Sequence, residues 1–368
     1  MNRIIGHLDM DAFFAAAEER ENSRFKRKPI VVGADPVGGA GRGVVSTANY
    51  KAREYGIHSA MPISTAWRLA EQARKRGMPE TIFLGGNFAL YGKISDNIMK
   101  IIRRHAPVVE EASIDEAYFD LTNTGNFEEA AKVAQKIKDD IRREERLTST
   151  VGIGPNKLVA KIASDLQKPD GLTIVRPEDV QKVFDPLSVR KMPGIGPKSE
   201  ERLRSLGIKT VADLKKLSAE KLDELFGAWG REMYEKARGE DDSPLEEEYE
   251  AKSIGEQETF MEDTLDAGFL VEHLKGLAQS VYGRFKSGEF SAEGGSASGG
   301  KTFKTIAITV RFADFETKTR AHTLSASTSD KNTLLFEATR LFMPFLDSRE
   351  NAKKKKIRLL GVRIEKFE

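Results

Sequence analysis

Apolar and polar positions change period repeatedly along the chain, and each change marks an element. The first apolar run, 3–8, has the length of a short buried strand and stops at Asp9. Alanine-rich sequence from Met10 to Glu18 then favours a helix. Residues 28–32 read as a second strand, and 43–47 lead into a helix of one to two turns closed by Gly56. Another helix opens at Met61 and Pro62 and ends near 75–77. Over 88–105, Leu90, Ile94, Ile98, Ile101 and Ile102 recur at the spacing of an amphipathic helix. Two strands around a tight turn follow at 108–121. Residues 127–146 predict a helix and 148–153 a strand. Pro155 starts a helix through about 167, with Leu158, Ile162 and Leu166 on its apolar face.

Past 180 the texture shifts to short helices and glycine turns, with helices expected over 199–206 and 210–217. Gly194, Ile195 and Gly196, followed by Lys198, form the Gly-Ile-Gly signature of a helix-hairpin-helix. Such a turn lets backbone N–H groups reach a DNA phosphate without reading base sequence. A plain helical hairpin would share the apolar spacing. Residues 225–230 resemble a weaker second turn. Residues 240–252 are acidic, contain Ser243-Pro244, and predict an interdomain linker. A small α+β domain follows: strand 253–260, helix 265–285, strands 304–312 and 318–325, helix 332–346 and strand 357–364. The Gly/Ser-rich stretch 287–300 is expected to be disordered. Lys301, Lys304, Arg311, Lys318, Arg320 and the lysines 353–356 make this domain locally basic. Either these charges are simply solvated, or basic outward positions on alternating strands form a face for a nucleic-acid backbone.

Composition narrows the class. At 368 residues the chain exceeds one typical core and predicts two to four domains. A net charge of +2 does not by itself declare a nucleic-acid binder, so any basic surface must come from uneven distribution. Cysteine is absent, which excludes disulfides, thiolate metal sites and cysteine nucleophiles. The five histidines are scattered without zinc-ligand spacing. No run reaches the length of a membrane span, and no signal-peptide pattern opens the chain, so a cytoplasmic protein without a membrane partner is expected. The glycine-rich loop 33–43 lacks the Lys-Ser/Thr ending of a P-loop and reads as a flexible turn.

Candidate chemistry starts at Ser113-Ile114-Asp115-Glu116-Ala117-Tyr118, two acids set in an apolar run. Acids in such a place need a positive compensator. With Asp9 at the end of the first strand, a divalent cation is one; ordinary turn acids at a hairpin tip are the alternative. Adjacent residues on a strand point to opposite faces, so the chain must turn at this pair. Asp115 is expected to face Asp9 across neighbouring strands, with Glu116 joining from the turn. Thr47, Tyr50 and Arg53, near the start of the short helix, could offer a polyphosphate a hydroxyl, a phenol, a guanidinium and free backbone N–H groups. A surface helix with a solvated arginine would look the same. Lys157 and Lys161 share a helix face; one is expected to be solvated and the other aimed at a phosphate. Phe14, in a Phe-Phe pair with Phe13, reads by itself as core packing.

Taken in order, these stretches resemble the Y-family translesion DNA polymerases of the DinB, or DNA polymerase IV, type. The set is Asp9 to Phe14, Ser46 to Arg53, Ser113 to Tyr118, Val151 to Ile153 with Ala160 to Ala163, and Pro193 to Gly196 with the basic C-terminal domain. It covers essentially the whole chain. The resemblance implies an α+β multidomain right-hand fold: palm 1–18 and 79–178, fingers 19–78, a helix-hairpin-helix thumb 179–239, a linker 240–252 and a little finger 253–368. It implies Asp9, Asp115 and Glu116 as catalytic carboxylates holding two Mg²⁺ ions, with the Met10 backbone carbonyl completing one shell. Phe13, Phe14 (the steric gate against a ribose 2′-hydroxyl), Thr47, Tyr50, Arg53 and Lys161 would bind the nucleotide. Gly194, Ile195, Gly196, Lys198, Lys304, Arg311, Lys318 and Arg320 would contact DNA. Ala12 departs from relatives that carry tyrosine or cysteine there. Implied partners are primer–template DNA and dNTPs, for a monomer that lacks proofreading. A sliding clamp is a further implied partner, although the ending Lys366-Phe367-Glu368 shows no clear clamp-binding tail. A non-catalytic DNA-binding scaffold and a nucleotide cyclase are the alternatives. Retention of all three acids stands against the first, and a helix-hairpin-helix against the second.

Overall fold

Strand β1 (Ile5–Met10) is buried along almost its whole length because both of its faces are covered. The computed structural model describes residues 3–248, 250–288 and 301–368, so the expectation for 287–300 lies, from 289 on, outside the described residues. These residues divide into two compact units, the first being Met1–Gly33, Val45–Met61 and Arg68–Glu247.

In chain order the first unit's elements are β1, α1 (Phe13–Glu21), β2 (Ile30–Gly33), β3 (Val45–Ala48), α2 (Tyr50–Arg53), α3 (Ile63–Lys75), β4 (Ile82–Leu84) and α4 (Phe88–His105). Then come β5 (Val109–Glu111), β6 (Glu116–Asp120), α5 (Phe127–Glu145), β7 (Ser149–Gly154), α6 (Lys157–Leu166) and β8 (Leu172–Ile174). Five short helices follow: α7 (Val180–Phe184), α8 (Pro197–Ser205), α9 (Val211–Leu214), α10 (Ala219–Phe226) and α11 (Ala228–Ala237). The amphipathic run expected at 88–105 is α4, and the expected strand pair is β5 and β6. Helix α6 starts later than Pro155 because Asn156 is its N-cap, its side chain accepting from the Val159 N–H at 2.9 Å.

The main sheet runs β5-β6-β1-β7-β8, with β1 antiparallel to both neighbours and β7 parallel to β8. Alternation along β1 divides its side chains. Leu8 and Met10 join Ile94, Ile98, Ile102, Ile137 and Ile141 of α4 and α5 in one core. Ile5 turns the other way, towards Tyr118 and Ala160 of α6. Helix α6 approaches the sheet closely at Gly152: a Cβ there would lie 2.1 Å from the Ala160 carbonyl oxygen and 2.2 Å from the Ser164 nitrogen. A second, three-stranded sheet, β3-β2-β4, carries α2.

In the helical part, the Gly-Ile-Gly turn is preceded by a single 3-10 turn (Val189–Lys191) rather than a full helix. Gly194 has φ 92°, and a Cβ there would meet the Trp229 ring at 2.2 Å, so glycine is needed twice over. Ile195 is buried among the short helices that follow α6, and Lys198 is exposed. The predicted linker is not free at its start. Asp241 accepts from the Leu158 N–H (2.9 Å), Glu110 accepts from the Glu246 N–H (2.9 Å), and Leu245 packs beside Ile5, Tyr118 and Ala160. Local acidity misled here, because the acids serve the N-terminus of α6 and Leu245 finds an apolar seat.

The second unit is Ala34–Val44, Pro62–Trp67 and Glu248–Glu368. It contains β9 (Ser253–Thr264), α12 (Ala267–Ser287), β10 (Phe303–Phe312), β11 (Thr317–Thr328), α13 (Lys331–Phe342), α14 (Ser348–Asn351) and β12 (Ile357–Phe367). Its antiparallel sheet runs β11-β10-β12-β9, and Ile306, Ile308, Val310 and Phe312 pack with α12 and α13. Segments 34–44 and 62–67, expected in the fingers, group by contact with this unit; Arg42 donates to the Phe260 carbonyl at 3.0 Å and pairs with Asp263.

The expected row of outward basic residues is not what the register produces. Lys318 and Arg320 stand opposite Val310 and Ile308, on the helix-covered face, and both pair with Glu350 (3.3 and 2.6 Å). The other face of the same strand carries Thr317, Thr319, Ala321 and Thr323, with Arg311 opposite Thr317. Lys304 lies 3.7 Å from Glu368.

Gly152→Ala is expected to destabilise the first unit by about 3 kcal/mol or more, because the added methyl meets backbone atoms that no side-chain rotation can move. Urea unfolding followed by far-UV circular dichroism measures it; a loss under about 1 kcal/mol would contradict the packing argument.

Candidate active site

The same face of β1 that presents Ile5 to α6 presents His7 and Asp9, and Asp11 follows just past the strand's end. Cross-strand register sets Asp9 directly opposite Glu116 on β6 and Thr150 on β7. This corrects the expected arrangement: Glu116 opposes Asp9 on the sheet, and Asp115 joins from the turn. Asp115 is tied in through its backbone, its carbonyl accepting from the Met10 N–H at 3.0 Å. Ser113 shapes the turn by accepting from the Asp115 and Glu116 N–H groups (3.3 and 3.1 Å) and donating to Asp115 Oδ1 (2.7 Å). A serine two residues before an acid is a local turn signal that the sequence reading passed over.

Two lysines meet these acids. Lys161, on α6, donates to Glu116 Oε2 at 2.6 Å. Lys168, past the end of α6, donates to Asp9 Oδ2 at 2.6 Å and pairs with Asp165 at 2.9 Å. Burial pushes Asp9 up to about 7, with Glu116 adding to the rise, even though the Lys168 ammonium works the other way. Burial also raises Asp115, against the pull of Ser113. For Glu116, burial is outweighed by His7 and Lys161, which hold it well below the usual carboxylate range. Burial would lower Lys168, but Asp9 and Asp165 keep it above the ordinary lysine value. His7 is fully buried, which lowers its pKa; its Nδ1 lies 2.8 Å from Ser164 Oγ and its Nε2 3.8 Å from Glu116.

Asp9 and Asp115 open into a cleft of about 200 Å³ whose other walls include Met10, Ala12, Phe13, Ser46, Thr47, Tyr50, Arg53, Ser59 and Lys168. Helix α2 is fixed there by Asn49. Its Oδ1 accepts from the Ala52 and Ile30 N–H groups (both 3.0 Å) and its Nδ2 donates to the Lys28 carbonyl (2.8 Å). Asn49, not Thr47, is thus the N-cap, and Thr47 belongs to β3. Arg53 Nε donates to the Ala48 carbonyl at 2.9 Å and its guanidinium lies 4.7 Å from the Tyr50 ring centroid. Tyr50 is pushed up to about 12 by burial and by Asp11, so the phenol keeps its proton and can donate.

Thr47, Tyr50 and Arg53 therefore stand together with two of the acids, as expected. Lys161 does not line this cleft, and the ammonium that does is Lys168, which the sequence reading missed. Its signal was faint: a lysine before Pro169, two turns of helix beyond Lys161. Phe13 is buried and reaches the cleft wall. Phe14 stacks on Tyr91 (4.3 Å, 10°) and meets Phe88 edge-on (5.9 Å). Ala12 takes a left-handed conformation (φ 48°) as the residue before α1.

No three described histidine, aspartate or glutamate side chains stand close enough to hold a metal ion as placed. The donor set nevertheless suits a hard divalent cation. Three carboxylates and the Met10 carbonyl are all oxygen ligands, the acids oppose one another's ionisation, and lysines supply the compensating charge.

Residues 8–165 match the impB/mucB/samB family, 251–368 its C-terminal domain, and 190–241 the DNA polymerase-iota thumb domain. DNA polymerase IV 2 of Methanosarcina mazei is 45% identical over 99% of this chain and 92% of its own. DNA polymerase IV of Streptococcus sanguinis is 38% identical over 100% of this chain and 97% of its own. Among solved structures, the Y-family DNA polymerase chimera Dbh-Dpo4(243-245)-Dbh superposes with a TM-score of 0.84 at 30% identity, covering 98% of each chain. The insertion ternary complex of Dbh DNA polymerase does so at 0.65, with the same identity and coverage. Matched along almost its whole length, the chain belongs to the Y-family translesion DNA polymerases of the DinB type.

Proposed function

We propose that the cleft between Asp9, Asp115 and α2 is where a dNTP is joined to a primer 3′-hydroxyl opposite a template base. The observation that carries this is the meeting of two carboxylates with Tyr50, Arg53, Thr47 and Lys168 around one small cavity. Polymerases of this family depend on a divalent metal. Asp9, Asp115, Glu116 and the Met10 carbonyl would hold two Mg²⁺ ions, which supply Lewis acidity towards the attacking hydroxyl and the leaving pyrophosphate.

The chain's own groups do the positioning. Arg53, held by Ala48 and the Tyr50 ring, presents fixed donors to the phosphate oxygens. Thr47 donates from its hydroxyl, while Tyr50, whose phenol donates to Asp11, supports the Arg53 guanidinium with its ring. Lys168 brings a mobile ammonium that can pass from Asp9 to a phosphate. Fixed donors of this kind stabilise charge that grows as the α–β phosphate bond breaks. Lys161, already on Glu116, sets that carboxylate's orientation and keeps it ionised. The Phe14 ring, stacked on Tyr91 and next to the Phe13 that lines the cleft, would act as the wall against a ribose 2′-hydroxyl. Primer–template DNA would lie against the Gly194–Gly196 turn and the second unit's sheet. The ternary complex of Dbh, with its similar fold, supports a DNA and nucleotide partnership.

Primer extension with Mg²⁺ and dNTPs tests this. The native chain should extend a primer, and Asp115→Ala should reduce the rate by roughly a thousandfold or more; no extension by the native chain, or unchanged extension by the variant, sinks the reading. Lys168→Ala should raise the dNTP KM about tenfold, the loss of one charge-assisted contact, while primer–template affinity stays put. Phe14→Ala should admit ribonucleotides, seen as a fall in the dNTP-to-NTP ratio of kcat/KM; an unchanged ratio rejects the wall.

A further inference from the structure

Asp11 is 4% exposed, carries a carboxylate, and does not line the cleft. Burying such a group is costly unless its oxygens are satisfied. Three donors satisfy it, and they come from three separate pieces of the chain. Thr150 Oγ1 of β7 donates to Oδ1 at 2.8 Å, and the Tyr50 hydroxyl of α2 donates to the same oxygen at 3.3 Å. The Asp170 N–H donates to Oδ2 at 2.9 Å. The last bond fixes the turn that carries Lys168, two residues earlier. The turn is braced from its other side as well. Lys138 of α5, also 4% exposed, donates to the Asp170 carboxylate at 3.0 Å and to the Ser149 and Gly171 carbonyls at 2.6 and 2.9 Å. Arg142 reaches the second Asp170 oxygen at 2.5 Å.

We propose that Asp11 is a positioning residue for the incoming triphosphate, joining the Lys168 turn and the Tyr50 side chain to the palm so that the Lys168 ammonium and the Arg53 guanidinium resting on the Tyr50 ring face one point. This rests on the nucleotide-binding reading of the cleft given above. A neutral donor at each of its three contacts means that Asp11 is held without a cation of its own. It therefore orients groups rather than compensating charge. Thr150 makes the anchor: it sits on β7, opposite Asp9 on β1, so the carboxylate's position is referred to the sheet that holds Asp9 and Glu116. Tyr50 and Lys168 approach the cleft from different elements, α2 and the turn after α6, and Asp11 accepts from the Tyr50 hydroxyl directly and from the N–H of Asp170, two residues past Lys168.

Asp11→Asn separates the links by chemistry. The amide oxygen can still accept from Thr150 and Tyr50, but its NH₂ group then faces the Asp170 N–H, two donors head to head. The Lys168 turn loses its hold while side-chain volume is unchanged. Asp11→Ser removes all three links. Steady-state single-nucleotide incorporation should show the dNTP KM rising about tenfold for Asp11→Asn, with kcat changed by less than about threefold. Primer–template affinity should stay near that of the native chain, and the thermal midpoint should fall by only a few degrees, the cost of one unsatisfied buried donor. In a Lys168→Ala background the same substitution should raise KM by less than about twofold, because its target is gone.

The outcomes separate the two proposals. A native chain that does not extend primers refutes the polymerase reading of the cleft. A native chain that extends them, with an Asp11→Asn variant of unchanged KM, refutes the positioning role alone. So does a KM increase that persists in full in the Lys168→Ala background. If neither Asp11→Asn nor Asp11→Ser folds, the carboxylate is a structural group and the positioning role is overturned.

Discussion

Three carboxylates gathered where water is scarce repel one another, and the first unit is arranged around that repulsion. Strand alternation sends Leu8 and Met10 into the core and His7 and Asp9 to the opposite face, towards α6. Helix α6 can lie close only because residue 152 has no side chain. Its closeness brings Lys161 onto Glu116 and leads the chain on to Lys168 beside Asp9. Sheet packing, a glycine and two lysines are therefore one device. Each piece is intelligible only through the charge it helps to accommodate.

Much of the fold was legible because its elements follow simple periods. The helix at 88–105 carries apolar residues every three or four positions and an asparagine at its start. The apolar stretch around 108–121 reads most simply as two strands and a turn. What the sequence could not show was which segments group together. Residues 34–44 follow β2 directly, yet their contacts are with the C-terminal unit. The acidic segment after 240 looked like a tether by composition. A single leucine in it, Leu245, and one well-placed aspartate, Asp241, tie it down. Register was equally hidden: Lys318 and Arg320 are basic residues on a strand, but the strand's pairing turns them to Glu350 rather than outward.

The candidate site was legible in its residue types and less so in its geometry. Asp9, Asp115 and Glu116 are close, yet a shift of one residue decides which acid opposes Asp9, and pairing energetics across three strands sets that shift. Lys161 lay within a recognisable helix and drew attention. Lys168 lay in the turn beyond it, where no periodicity points anywhere, and it is the lysine on the cleft wall. Asp11 could be seen only as a second acid, two residues after Asp9. Its partners, Thr150 and Asp170, lie far away in sequence and had nothing to mark them.

The Lys168 ammonium on Asp9 behaves as a counterion on a four-carbon leash. A dissolved cation competing for that carboxylate faces a rival whose local concentration does not fall on dilution. Displacing it is unfavourable unless the ammonium has somewhere else to go. A polyphosphate arriving in the cleft is such a destination. On the proposed reading of the cleft, metal affinity and nucleotide affinity would be thermodynamically linked, each ligand easing the other's entry by the same factor. Without a polyphosphate the site would then be a poor sink for divalent ions, charging fully only when both ligands are present.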